Sequence, residues 1–319
     1  MIRLRALVVA AALTLAAPAL AQPAAPGTWT MVAPHPGPPR TEVSVTTDGT
    51  LLYMLGGFSP TAAGSVGAPV AVQAYDTATN TWAEFATLPV GVNHAGLVVL
   101  DGALYLVGGF AGATFEATGA VRILDLATRA WRDGPPLPTP RGALAVVVLE
   151  GRIHAIGGHD AAHRDTGTHE IYDPATGAWT TAPDMPTPRN HHAAAVVGDD
   201  IIVIGGRTDA TLLLTTNEIF DAATGTWRTG APVPTGRSGI AAVTLGGAVY
   251  LFGGEERRRT FANAERYEPT ADAWAILPDM PTARHGLGAA AIGPHIYVVS
   301  GGPQPGFSYS TIVERLEPR

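Results

Sequence analysis

Ile156-Gly157-Gly158, then Glu170-Ile171-Tyr172-Asp173-Pro174-Ala175-Thr176-Gly177-Ala178-Trp179, then Pro188-Arg189: this stretch holds the pattern that decides the fold. A glycine doublet closes a short apolar run, a Tyr-Asp pair stands six residues before a tryptophan, and a Pro-Arg opens the next unit. Outward in both directions the same marks return. Tryptophans fall at 29, 82, 131, 179, 227 and 274, at steps of 53, 49, 48, 48 and 47. The doublet recurs at Gly56-Gly57, Gly108-Gly109, Gly205-Gly206, Gly253-Gly254 and, with one change, Ser300-Gly301. A constant period near 48 means six repeated supersecondary units.

Each unit reads as four short strands between turn signals. In the fifth these are Ile240–Leu245, Ala248–Phe252, Glu265–Tyr267 and the strand holding Trp274. The first strand is rich in Ala, Gly and Val, as befits the innermost strand of a ring where space is least. Turn formers such as Asp173-Pro-Ala-Thr-Gly connect the third strand to the fourth. The expected fold is all-β, a six-bladed β-propeller of four-stranded blades. A seventh tryptophan would fall due just past the end of the chain. Glu317-Pro318-Arg319 begins a turn of the kind that Gly27-Thr28-Trp29 finishes, so the N-terminal strand is expected to complete the last blade and leave no open edge.

The glycine doublet, the Tyr-Asp pair six residues before Trp, and the Pro-Arg together resemble the kelch repeat, and the resemblance runs through the chain after its first residues. It implies a kelch-type propeller with a central channel. A more distant likeness to the exported bacterial sialic-acid mutarotases (N-acetylneuraminate epimerases) offers a second reading, although the long insertions of that group are missing here. The kelch-containing copper oxidase of galactose is set aside, because its cofactor needs a cysteine and this chain has none.

Residues 1–21 read as a cleaved signal peptide: Arg3 and Arg5, an apolar run from Ala6 to Ala17, Pro18, then Ala19-Leu20-Ala21 before Gln22. Residues 22–319 form the propeller, expected as a monomer in the periplasm or outside the cell, with no membrane span in the mature form. The net charge of −7 argues against nucleic acid as a partner.

One end of the ring is repetitive. The distance from the third-strand acid to the tryptophan is six residues in the first five units (76 to 82, 125 to 131, 173 to 179, 221 to 227, 268 to 274). From doublet to acid it varies (57 to 76, 109 to 125, 158 to 173, 206 to 221, 254 to 268, 301 to 317), and variable loops on one face of a repeat array are where binding resides. That face also receives Arg40, Arg141, Arg189, Arg237 and Arg284, each 16 residues before its doublet, with Val92 breaking the series. Two readings of the arginines stand: a ring of guanidinium forks for an anionic ligand, or ties between blades through carbonyls and the acids Glu170, Glu218, Glu265 and Glu314.

Departures from the repeat complete the candidate ligand set: Phe58, Phe110, His159, Arg207 and Glu255 just after the doublets, and His94, Asn190, His191 and His285 beside the arginine positions. The expected role is a binding module for a glycan, a small anionic ligand, a peptide or a protein partner at the channel mouth. The alternative is a carbohydrate mutarotase using Glu255 or His191 as its acid–base group. The loop carrying His159, His163 and His169 raises a metal site, but it lacks the helical spacing that makes such pairs specific; no metal or cofactor is expected. Glu255-Glu256-Arg257-Arg258-Arg259 reads as a solvated charge run. His154 and His295 read as structural.

Overall fold

The computed structural model describes residues 26–318; the signal-peptide expectation and Arg319 lie outside them. Six four-stranded antiparallel sheets follow one another around a ring. Blade one is Ser44–Thr47, Leu51–Leu55, Ala71–Asp76 and Thr81–Thr87; blade two is Gly96–Leu100, Ala103–Val107, Val121–Asp125 and Trp131–Asp133. Blade three is Ala145–Leu149, Arg152–Ile156, His169–Asp173 and Ala178–Ala182; blade four is Ala193–Val197, Asp200–Ile204, Asn217–Asp221 and Thr226–Thr229. Blade five is Ala241–Leu245, Ala248–Phe252, Ala264–Glu268 and Ala273–Ile276. Blade six takes Gly288–Ile292, His295–Val299 and Val313–Pro318 from the end of the chain, and its fourth strand is Gly27–Met31. In that seam Gly27 faces Pro318, Trp29 faces Leu316 and Met31 faces Glu314, the closure expected from the tryptophan count.

The sequence marks have physical jobs. Asp76, Asp125, Asp173 and Asp221 each accept, through Oδ1, the N–H two residues on, at 2.8, 3.0, 2.8 and 2.9 Å, which folds the turn between strands three and four. The tryptophan that follows packs on the aromatic residue before the acid, as in Tyr75–Trp82, Tyr172–Trp179, Phe220–Trp227 and Tyr267–Trp274. Its indole N–H reaches the preceding blade: Trp82 donates to Ala33 O, Trp179 to Pro135 O, Trp227 to Pro183 O, Trp274 to Ala231 O and Trp29 to Pro278 O, all at 2.8–2.9 Å.

The hydrophobic core is divided into six layers, one between each neighbouring pair of blades. The layer between blades six and one holds Tyr297, Val299 and Val313 against Leu52, Met54 and Tyr75, so the seam is packed like any other joint. Near the axis the first strands converge on a channel cavity of 420 Å³ lined by residues such as Val45, Val99, Val146, Ala194 and Ala291. Two glycines are required there by contact alone. A Cβ on Gly96 would meet Val146 Cγ2 at 2.0 Å, and one on Gly288 would meet Val45 Cγ2 at 2.2 Å.

Candidate functional site at the channel mouth

Each blade enters its first strand through a short segment that places three residue positions in rings around one end of the channel. The outer position, just after the doublet, bridges the middle one: Phe58 with Thr41, Phe110 with Asn93, His159 with Gly142, Arg207 with Asn190, Glu255 with Ser238 and Gly302 with His285. The inner position follows the middle one and comprises Glu42, His94, Ala143, His191, Gly239 and Gly286. All six are left-handed, with φ of 55, 51, 52, 51, 66 and 58°. Main-chain hydrogen bonds pass round this inner ring: Ala143 N to His94 O at 2.9 Å, His191 N to Ala143 O at 3.0 Å, Gly239 N to His191 O at 3.0 Å and Gly286 N to Gly239 O at 2.9 Å. Glycine suits this backbone and stands at two of the positions. Glutamate and histidine adopt it at a cost of order 1 kcal/mol each, the kind of strain that collects at functional sites.

The five arginines do not line the mouth. Arg40, Arg141, Arg189, Arg237 and Arg284 are all fully buried. Arg141 is typical: it donates to Gly157 O at 2.9 Å, Ala155 O at 2.9 Å, Thr139 O at 2.8 Å and the Glu170 carboxylate at 2.5 Å. Arg189–Glu218, Arg237–Glu265 and Arg284–Glu314 repeat the pair at 2.5, 2.5 and 2.7 Å. The arginine carbonyls meanwhile accept the second-doublet N–H of the preceding blade, Gly109 to Arg141 and Gly158 to Arg189 both at 2.9 Å, so the main chain couples two blades. The arginines are therefore structural and not a ring of anion-binding forks, but the expected tie between blades holds only for their carbonyls: the guanidiniums are spent on carbonyls and carboxylates of their own blades. Blade two confirms the partnership by losing both members, with Val92 for the arginine and a half-exposed Arg122, paired to Asp133, for the acid. In blade one Arg40 has Gly56 O and Ala71 O but no carboxylate, Gln73 standing where the acid would be; burial pulls its pKa down to about 10.

With the arginines withdrawn, the departures from the repeat hold the mouth. A pocket of 190 Å³ is lined by Thr41, Glu42, Phe58, His94, Phe115, His191, Arg207, Glu255, His285 and Phe307, among others. Six candidate residues meet there: Phe58, His94, His191, Arg207, Glu255 and His285. One wall is aromatic, with Phe115 and Phe307 each edge-on to the buried Phe58 at 5.6 and 5.3 Å between centroids; Phe110 lies beneath, against Phe115 and His94. The facing wall is polar. Arg207 donates to Glu255 Oε1 at 3.1 Å, His191 Nε2 at 2.8 Å and Asn190 Oδ1 at 3.2 Å. Glu255 Oε2 accepts the Gly306 N–H at 3.1 Å and stands 3.6 Å from His285 Nε2. Glu42 lies 3.2 Å from His94 Nε2 and 3.6 Å from His285 Nε2. Burial holds the His94 and His191 pKa values below the usual imidazole range, and for His191 the nearby Arg207 charge adds to the effect, so both rings are neutral near pH 7.

The histidine loop does not assemble a metal set. His159 bonds Asp165 at 3.2 Å and lies near His163, but His169 is buried in the third strand, 2.9 Å from His154 and edge-on to Phe220. Glu255 likewise departs from the solvated run, being turned into the mouth while Arg257, Arg258 and Arg259 remain on the surface. Residues that the sequence did not single out are Glu42, Phe115 and Phe307. Glu42 had a signal, since it stands two positions after Arg40, in phase with His94 and His191.

Comparison with known proteins agrees with this architecture. The family model described as KLHDC2/KLHL20/DRC7 Kelch-repeats domain matches residues 171–314, and two Kelch motif models match residues 140–186 and 91–138. Kelch-like protein terF of Aspergillus terreus (strain NIH 2624 / FGSC A1156) is 37% identical over 71 residues, 22% of this chain and 16% of that protein, so the match spans a small part of that relative.

Proposed function

Because the chain is a kelch-repeat β-propeller, a fold that serves as a protein-interaction module, we propose that it binds an exposed segment of a partner protein at the variable-loop mouth. One observation carries this reading. Phe115 and Phe307, 48% and 58% exposed, come from loops of different blades yet close on the same buried Phe58 at the rim of the pocket. Large apolar side chains clustered in the open over a polar floor are the usual anchor of an interface. A peptide would insert an apolar side chain between the phenyl rings and present main-chain groups to Arg207, Glu255 and Glu42 below. A glycan could stack on the same rings, and is the competing ligand class.

The mutarotase reading has weaker support. Glu255 is held by Arg207 and the Gly306 N–H, and His191 by Arg207 and Asn190, which leaves neither free to move a proton as an acid–base group must. The apolar N-terminal run and its small-residue cleavage pattern support export, testable by sequencing the N-terminus of the mature protein. None of the described residues forms a helix long and apolar enough to cross a membrane.

The test is a peptide array and a glycan array probed in parallel with the native chain and the Phe115→Ser/Phe307→Ser variant. Peptide signals that vanish in the variant, with the unfolding midpoint unchanged, support the reading. Signals that survive, or that occur only on glycans, overturn it.

A further inference from the structure

The hydrogen-bond network orients three histidines at the mouth, each through its Nδ1. Asn93 directs its amide nitrogen at three carbonyls, Phe110 O, Gly112 O and Thr114 O at 3.4, 2.9 and 3.1 Å, so its Oδ1 is the atom facing His94 Nδ1 at 2.6 Å. That nitrogen must carry the proton. Asn190 is oriented the same way, its amide nitrogen on the Asp165 carboxylate and its Oδ1 accepting from Arg207, so it too accepts from His191 Nδ1. His285 Nδ1 donates to Gly302 O at 3.1 Å. In each ring Nε2 is then the nitrogen left to face the mouth, with a lone pair it can offer to a metal ion.

Two of them face carboxylate there. His94 Nε2 lies 3.2 Å from Glu42 Oε2, and His285 Nε2 lies 3.6 Å from oxygens of both Glu42 and Glu255. An imidazole nitrogen and a carboxylate oxygen this close are arranged as two ligands that can share one cation. Arg207 supplies one such cation, to His191 Nε2. Among the described residues no arginine bonds Glu42 or His94.

We propose that Glu42, His94 and His191 form a binding site for a divalent transition-metal ion, with His285 placed as a further donor. One donor atom from each of the three lies within 4.8 Å of the others. The Glu42–His94 separation already matches two ligands on one ion with bonds of about 2.0–2.1 Å. Two imidazoles and a carboxylate suit zinc, iron or manganese rather than the all-oxygen preference of calcium and magnesium. The Asn-His dipeptides, Asn93-His94 and Asn190-His191, supply what metal-bound histidines ordinarily have: an acceptor on the far nitrogen that sets ring and tautomer. Ala143, the other non-glycine residue on the inner ring, has no donor atom; the three that do are the three proposed ligands. When the ion binds, Arg207 releases His191 and keeps Glu255. The site is independent of whether a partner protein docks above it.

The test uses the full propeller, stripped with chelator, dialysed, and titrated with Zn²⁺ by calorimetry and with Co²⁺ by visible absorption. One ion per chain is expected, with Kd on the order of a micromolar or tighter. His94→Gly and His191→Gly keep the left-handed backbone, as Gly239 and Gly286 do, and should each weaken binding at least about 100-fold without lowering the unfolding midpoint. Asn93→Ala and Asn190→Ala should weaken it about 10- to 100-fold. Glu42→Gln, which keeps the shape and removes the charge, gives an independent reading should a glycine variant fold poorly, and should also bind more weakly. No saturable binding by the native chain, undiminished binding in the His94→Gly/His191→Gly double variant, or loss of binding on His163→Ala instead would overturn the assignment.

Discussion

Replacing Arg189 by methionine tests whether the five buried arginines hold their blades together. The methionine fills most of the space but removes the donors to Thr187 O at 3.0 Å, Val203 O at 3.1 Å and the Glu218 carboxylate. Glu218 is 5% exposed and retains only Thr187 as a partner, so its charge is left buried and uncompensated. Breaking one member of such a pair costs about 3–5 kcal/mol. At a few degrees per kcal/mol for a domain of this size, the melting temperature should fall by roughly 5–15 °C. Blade two shows what tolerated loss looks like, with valine for the arginine and arginine for the acid. The double variant Arg189→Val/Glu218→Arg should therefore lose less than Arg189→Met alone. Urea unfolding followed by tryptophan fluorescence measures both. A midpoint within about 1 kcal/mol of native for Arg189→Met, accompanied by loss of ligand binding, would refute the structural role and return the arginines to the binding site.

Three further outcomes follow from the structure. Burial lowers the pKa of His154 to about 4 and of His169 and His192 to about 3, against 6.5 in the unfolded chain; the unfolded state therefore binds more protons in between. Stability should be full above about pH 6.5 and fall by several kcal/mol as pH drops towards 4, and His154→Tyr, which restores the residue of four other blades, should flatten that slope in urea midpoints taken across the range. Gly96→Ala should destabilise by about 1–3 kcal/mol because its methyl group meets Val146, and Val146→Ala should recover most of the loss in a double-mutant cycle; additive losses would argue against the contact. A chain beginning at Val32 lacks the strand that covers Val313–Pro318 and the Trp29–Pro278 hydrogen bond, and should associate through the bared edge in sedimentation experiments; a monomer with native stability would show the seam to be dispensable.

Blade number, strand order and seam were legible because tryptophan, doublet and acid each perform a local task that every blade needs, so the same residues recur in phase. The direction of the arginines was not. Phase places a residue at an end of the ring but says nothing of depth, and whether a guanidinium turns outward depends on an acid 28 to 30 residues later in the third strand. Blade two held the clue, since Val92 and Arg122 change together. Glu42 was missed because its neighbours differ from Asn-His, although its position in the repeat is the same. Phe115 and Phe307 lie in loops of unequal length, where phase is lost, and only the folded ring brings them together over Phe58. Charge likewise misled at Glu255: the surrounding arginines describe a wet loop, while this one carboxylate turns inward to Arg207.

The seam has a mechanical consequence. Gly27 faces Pro318 and Met31 faces Glu314, so the chain enters and leaves that pair of strands at the same end. Tension applied through the two ends would load its rungs one at a time, as a zip opens, rather than all at once as in a sheared pair. The propeller should yield at low force at this joint, and with the ring open each remaining blade would present a free flank to be peeled away in turn.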